Sequence, residues 1–188
     1  MYKRQAQGRT VAGDKLVADA NWEDFQDADA GVWKGEQFLG QKVLRLATLI
    51  SWAEVHDMTL ILEMKCHGNR EYRSAELLAS SLRKTPKANI IVSSFDIDFL
   101  RYFRTFAPHI PLASVHNFFP EDIYFLKTEL AIEAVHLDSD LISASTDVTV
   151  FHQQGIKIRA WTVNDPSRAY DLFDLGVDMV MSDYPEQI

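Results

Sequence analysis

The chain has 188 residues, 47% hydrophobic content and a formal net charge of -8. That length and apolar content suit one globular domain with a sizeable core, and the acidic balance, with no Lys/Arg cluster to track phosphates, argues against a nucleic-acid partner. The single cysteine, Cys66, excludes an intramolecular disulfide and fits a reducing compartment, and no apolar run approaches the roughly 18 residues of a membrane span.

The opening stretch, Met1-Tyr2-Lys3-Arg4-Gln5, matches no element. Residues 8–42 are rich in Gly, Asp and Trp and lack a sustained period. Asn21 is placed to cap a short helix over 22–27. Trp22, Phe25, Trp33 and Phe38 are expected to form a small aromatic cluster. Val43, Leu46, Ala47, Ile50 and Ala53 follow helical spacing, which predicts an amphipathic helix over 43–57.

From there strands and helices alternate. Strands are predicted at 59–65, 89–94, 111–116, 133–137, 156–163 and 177–182. Helices are predicted at 71–84, 96–106, 120–130, 140–154 and 166–175. Asp96 precedes Ile97 as a cap, and Asp165 precedes Pro166 at a first helical position. Gly155 and Gly176 stand where helices should stop. No linker divides the chain, and the repeated unit is the βα pair itself, which argues for a parallel sheet.

Two architectures accommodate six such strands: an open doubly wound sheet, or strands three to eight of a TIM (β/α)8 barrel. No glycine-rich phosphate turn follows any strand. Polar residues recur instead at the carboxyl ends, namely Glu63 and Lys65, Ser94, His116, Asp138, Asn164 and Asp183. Barrel enzymes build their sites on that face, so the barrel is the preferred expectation. Six strands do not close a barrel, and the unpaired edges predict association or aggregation through them.

Glu63 and Lys65 end the otherwise apolar run Thr59-Leu60-Ile61-Leu62-Glu63-Met64-Lys65. Residues two apart on a strand share a face. If that strand is buried, the two charges must pair with each other or bind an ion. Ser94 and Asp183 end strands, where hydroxyl and carboxylate groups commonly cap the next turn. Asn164 is placed to initiate the turn before Pro166. Arg159 shares the alternation of Trp161, and lies either deeper on that face or against a helix. His136, within Val135-His136-Leu137, reads as a half-buried strand histidine or a pocket group, and His116 ends its strand. Cys66-His67 is too short a pair for a zinc site.

Four strings in order resemble one family. They are Leu60-Ile61-Leu62-Glu63-Met64-Lys65, Ile90 to Asp96 (IIVSSFD), Trp161-Thr162-Val163-Asn164-Asp165, and Gly176-Val177-Asp178 followed by Ser182-Asp183-Tyr184-Pro185. Arg9-Thr10, Asp29 to Lys34 and Phe38 add a likeness to that family's insertion segment. The chain is similar to the glycerophosphodiester phosphodiesterases, in particular their bacterial cytoplasmic-type members. The resemblance implies a metal-dependent TIM barrel that hydrolyses glycerophosphodiesters to glycerol 3-phosphate and an alcohol, in phospholipid and glycerol metabolism.

It implies Glu63 as a ligand to a divalent ion, Mg2+ or Ca2+. Lys65 would be a catalytic and substrate-binding cation, and Trp161 an apolar wall for the substrate. Ser94, His136 and Asp183 are further pocket candidates. The family's HRG, ExD and HD motifs have no counterpart ahead of Arg9, so the chain is expected to be an amino-terminally truncated domain lacking strands 1 and 2. Residues 8–42 would be its insertion segment and 43–188 its βα units. The other reading is a non-catalytic remnant that binds phosphate-bearing ligands, or nothing. The expected partner is a small-molecule glycerophosphodiester. The expected location is the cytoplasm, provided that no signal peptide precedes the chain.

Overall fold

The computed structural model describes residues 19–66, 69–85 and 88–188. His67, named in the sequence reading, lies outside them. The chain divides into two compact units, one running to Trp52 and one from Ala53 to Ile188.

The described part of the first unit is a chain of single-turn 3-10 helices, Trp22–Asp24, Val32–Lys34 and Glu36–Phe38. The helix expected over 22–27 is therefore one short turn. Its start is held by the Asp24 carboxylate, which accepts from the Asn21 N–H at 2.7 Å. Asp29 organises the next turns. Its carboxylate accepts from the backbone N–H of Val32 and Gly31 at 2.8 Å each, and from that of Gly40. These backbone donors, Val32 first, hold the Asp29 carboxyl below its ordinary value. A Cβ at Gly31 would lie 2.0 Å from the Phe38 carbonyl oxygen, so the two arms of this loop close only over glycine.

Among the described residues, the expected aromatic cluster is not built from ring-on-ring contacts. Trp22 carries the Arg45 guanidinium 4.3 Å from its ring centre, Phe38 faces Lys34, and the Trp33 indole N–H donates to the Ala30 carbonyl. For Trp22 and Phe38, a cation within reach of the ring face takes the place of another ring.

Helix α1 (Leu46–Val55) leads into the second unit. There the order is β1 (Leu60–Met64), α2 (Glu71–Leu82), β2 (Ile90–Ser94), α3 (Ile97–Phe106), β3 (Leu112–His116), α4 (Ile123–Thr128), β4 (Ala134–Asp138), α5 (Thr149–Gln153), β5 (Lys157–Trp161), α6 (Pro166–Asp174) and β6 (Met179–Val180). The six strands form one parallel sheet in the order β1-β2-β3-β4-β5-β6. The order never reverses, whereas a doubly wound sheet reverses at its switch point. The sheet curls into a half-barrel of consecutive βα units, as the barrel expectation required.

The caps act as read. The Asp96 carboxylate accepts from the Phe99 N–H, and Asp165 accepts from the Ser167 N–H ahead of α6. One predicted helix is mostly absent. Over 140–154 there is a 3-10 turn at Ser139–Leu141, then irregular chain, then the short α5. Side chains there compete with the helical ladder. Thr146 Oγ1 donates to the Leu141 carbonyl at 3.0 Å, and Asp147 accepts from the Thr149 N–H. The Arg168 guanidinium takes the carbonyls of Ser139 and Ile142 at 2.6 Å each.

Register fixes the two faces. Ile61 and Glu63 align with Ile91 and Ser93, Ser93 with Ala113, and Val115 with His136. Arg159 and Trp161 align with His136 and Asp138. These residues share the concave face, and Ile61, Ile91, Ala113 and Ala134 pack together as its floor. The alternating residues Val92, Leu112, Val135, Leu137 and Ile158 face the helices and are buried, as are Leu78, Leu82, Phe99, Phe103 and Leu172 on those helices.

Candidate active site at the carboxyl ends of the strands

Glu63 and Lys65 project from the end of β1 on the concave face and form an ion pair with each other. Their side chains are each 35% exposed. The sequence led us to expect a buried strand here, and that expectation is corrected. Leu60, Ile61 and Leu62 are only half-buried, whereas every residue of β2 and β3 is buried, because β1 is the outer strand of the described sheet. At this exposure the pair is screened and stabilises by about 1 kcal/mol or less. Lys65 can therefore leave Glu63 at small cost.

Trp161 ends β5. Its indole N–H donates to the His136 carbonyl at 3.1 Å, and its ring meets Phe95 edge-on with centroids 5.7 Å apart. Phe95 is 39% exposed and is the aromatic that the sequence reading passed over. Its position directly after β2, in step with Ile91 and Ser93, was the available signal. The two rings offer an apolar wall beside the charged pair's end of the sheet.

Ser94 lies on the helix-facing side and is fully committed. Its hydroxyl donates to the Met64 carbonyl at 2.7 Å and accepts from the Asp96 N–H at 3.0 Å. It builds the turn that presents Phe95. Asp183 is exposed and joins two strand-end loops. Its carboxylate accepts from Asn164 Nδ2 at 3.1 Å, and its N–H donates to Asn164 Oδ1 at 2.9 Å. Asn164 thereby clasps the loops after β5 and β6. Asp138 accepts from the Asp140 N–H and starts the 3-10 turn after β4.

Arg159 shares Trp161's face, 3% exposed, which settles the two readings left open for it. Its guanidinium donates to a Glu133 carboxylate oxygen at 2.9 Å and meets His136 Nε2 at 3.2 Å. A guanidinium donates only, so His136 Nε2 accepts and the ring is neutral. Burial, then the Arg159 charge and His116, push the His136 imidazole down to about 3. His116 lies on the opposite face of β3, with Nε2 2.8 Å from Ser114 Oγ, and burial pushes it down to about 4. Neither ring takes up a proton near neutral pH. Burial also pushes the Cys66 thiol up to about 11, so no thiolate is offered there.

To a hard divalent ion the described residues offer one carboxylate at β1, Glu63, already engaged by Lys65. Among the described residues no group of three or more His, Cys, Asp or Glu side chains converges. Six oxygen ligands are usual for such an ion. The described residues alone therefore do not make a metal centre.

Residues 7–187 match the glycerophosphoryl diester phosphodiesterase family. This chain belongs to that family. Among its relatives, the Bacillus subtilis protein YhdW, named as a candidate glycerophosphodiester phosphodiesterase, is 29% identical over 96% of this chain and 74% of its own length. A glycerophosphodiester phosphodiesterase of Caldanaerobacter subterraneus is 25% identical over 96% of this chain and 74% of its own length. In structure, the family member is similar to an Oleispira antarctica phosphodiesterase solved with the product sn-glycerol-3-phosphate. The TM-score is 0.91 at 25% identity, covering 100% of this chain and 76% of the other.

Proposed function

We propose that this family member hydrolyses glycerophosphodiesters to glycerol 3-phosphate and an alcohol, in phospholipid and glycerol metabolism, at the carboxyl ends of its strands. The observation that carries the reading is the Glu63–Lys65 pair, a loosely held cation beside an aromatic wall, in a chain whose structural relative was solved with glycerol 3-phosphate. Lys65 would turn from Glu63 to a phosphodiester oxygen, where its charge stabilises the charge that develops as the P–O bond breaks. Trp161 and Phe95 would hold the carbon skeleton. A divalent ion, Mg2+ or Ca2+, enters the proposal through Glu63, and its other ligands must come from beyond the described side chains. The single cysteine supports a cytoplasmic location.

The test is hydrolysis of glycerophosphocholine with Mg2+ or Ca2+ supplied. Glu63→Ala and Lys65→Ala are each expected to lower kcat/KM by about a hundredfold or more. Equal activity in all three proteins would end the assignment of these residues. A second reading, binding of phosphate-bearing ligands without turnover, is favoured by the absence of a convergent ligand group among the described residues. Binding of glycerol 3-phosphate with no release of alcohol would select it.

The edge of β1 supports one further proposal. It pairs with β2 alone among the described strands, and Leu60, Ile61 and Leu62 are half-buried. Such an edge recruits strands. Sedimentation velocity is expected to show association that grows with concentration, and a monomer at every concentration would overturn this.

A further inference from the structure

Ser93 is the buried polar residue of the concave face that no contact explains. It is 1% exposed, and its hydroxyl has no hydrogen-bond partner among the described residues. It sits in register with Glu63 on one side and Ala113 on the other. The floor around it is Ile61, Ile91, Ala113 and Ala134, which offer no acceptor side chain. Its neighbour Ser94 points to the other face and is already used twice. An unmade hydrogen bond at a buried hydroxyl is costly, so the group calls for a partner that this arrangement of the site does not show.

The nearest acceptor side chain by register is Glu63. In-register neighbours on adjacent strands are about 4.8 Å apart, within reach of a glutamate that changes rotamer. Here the Glu63 carboxylate is turned along its own strand to Lys65. We propose that Ser93 is a positioning residue that receives the Glu63 carboxylate when Lys65 turns to the substrate phosphate. The inference rests on the phosphodiesterase reading for its trigger. When Lys65 leaves, one Glu63 carboxylate oxygen loses its partner, and the side chain can swing back toward the same lysine. The Ser93 hydroxyl would take that oxygen and fix the carboxylate's orientation, leaving the other oxygen for the divalent ion that Glu63 is proposed to hold.

The experiment is a two-by-two cycle of Ser93→Ala and Lys65→Met, read by thermal melting, with glycerol 3-phosphate titrated onto the wild-type and Ser93→Ala proteins by calorimetry. With Lys65 present, Ser93→Ala is expected to leave Tm unchanged or raise it, because an unpaired hydroxyl is removed. In the Lys65→Met background the same change is expected to lower Tm by about 2 °C or more. Ser93→Thr should preserve the wild-type pattern in both backgrounds. Glycerol 3-phosphate is expected to bind Ser93→Ala about tenfold more weakly than wild type. An equal effect of Ser93→Ala in both backgrounds overturns the proposal. So does unchanged affinity in Ser93→Ala while the wild type binds. Failure of the wild type to bind glycerol 3-phosphate, with the coupling present, sinks the phosphodiesterase reading and the substrate trigger but upholds the Glu63–Ser93 contact.

Discussion

Replacing Arg159 by Met is expected to cost this protein about 1–3 kcal/mol of unfolding free energy, read from urea denaturation. Arg159 is 3% exposed, and its charge is balanced by Glu133 at 2.9 Å. Its second contact is the lone pair of His136 Nε2 at 3.2 Å. The pair spans β4 and β5, so it ties together two strands whose register also places Trp161. Removing the guanidinium leaves the His136 acceptor buried without a donor, and leaves Glu133 with only the exposed, 3.4 Å contact to Lys157. Arg159→Lys should recover less than half of the loss, since one ammonium cannot reach both partners as a planar fork does. Glu133→Gln should also destabilise, by stranding a buried cation. The double variant Arg159→Met/Glu133→Gln should be less damaged than the sum of the two singles. A loss below about 1 kcal/mol in Arg159→Met would show that the network is not an important tie in this half of the sheet.

Much of this architecture was legible because it depends on local rules. The six strands fall within a residue or two of their expected starts, since each is a short, mostly apolar run between more polar segments. Asp96 and Asp165–Pro166 announce their helices through the backbone donors they satisfy or remove. What the sequence hid depends on partners distant in the chain. Arg168 dissolves much of a predicted helix by capturing two carbonyls 29 and 26 residues away. Arg159 finds Glu133 26 residues earlier, which no spacing rule reveals. His116 ends its strand like a site residue, yet strand alternation places it on the helix side with Ser114. Glu63 and Lys65 were placed correctly on one face, but their exposure depends on what lies beside β1, and a single strand carries no information about its neighbour. Phe95 was read only as part of a motif, and its role emerges from the ring of Trp161, 66 positions further on.

Acidification below neutrality is expected to destabilise this protein steeply, through His116 and His136. Their usual value is 6.5, and burial lowers them to about 4 and about 3. The folded pKa lies below the unfolded one, so between these values the unfolded chain binds the extra protons and stability falls as pH falls. The contribution is fully present above pH 6.5, and it is lost as pH drops through that value towards 4 for His116 and 3 for His136. Each histidine adds a slope of up to about 1.4 kcal/mol per pH unit inside its window, so a drop from pH 7 to 5 should remove on the order of 3–4 kcal/mol. The two are not independent. His136 is held neutral partly by Arg159, whose guanidinium needs the Nε2 lone pair, so protonating the ring breaks the contact and sets two cations side by side. Urea denaturation at a series of pH values measures the slope directly. His136→Asn should cost stability at pH 7 yet roughly halve the slope, and His116→Asn with His136→Asn should nearly flatten it. A wild-type slope already flat between pH 7 and 5 would mean that both rings reach solvent when protonated, contrary to the 6% and 2% exposure seen here.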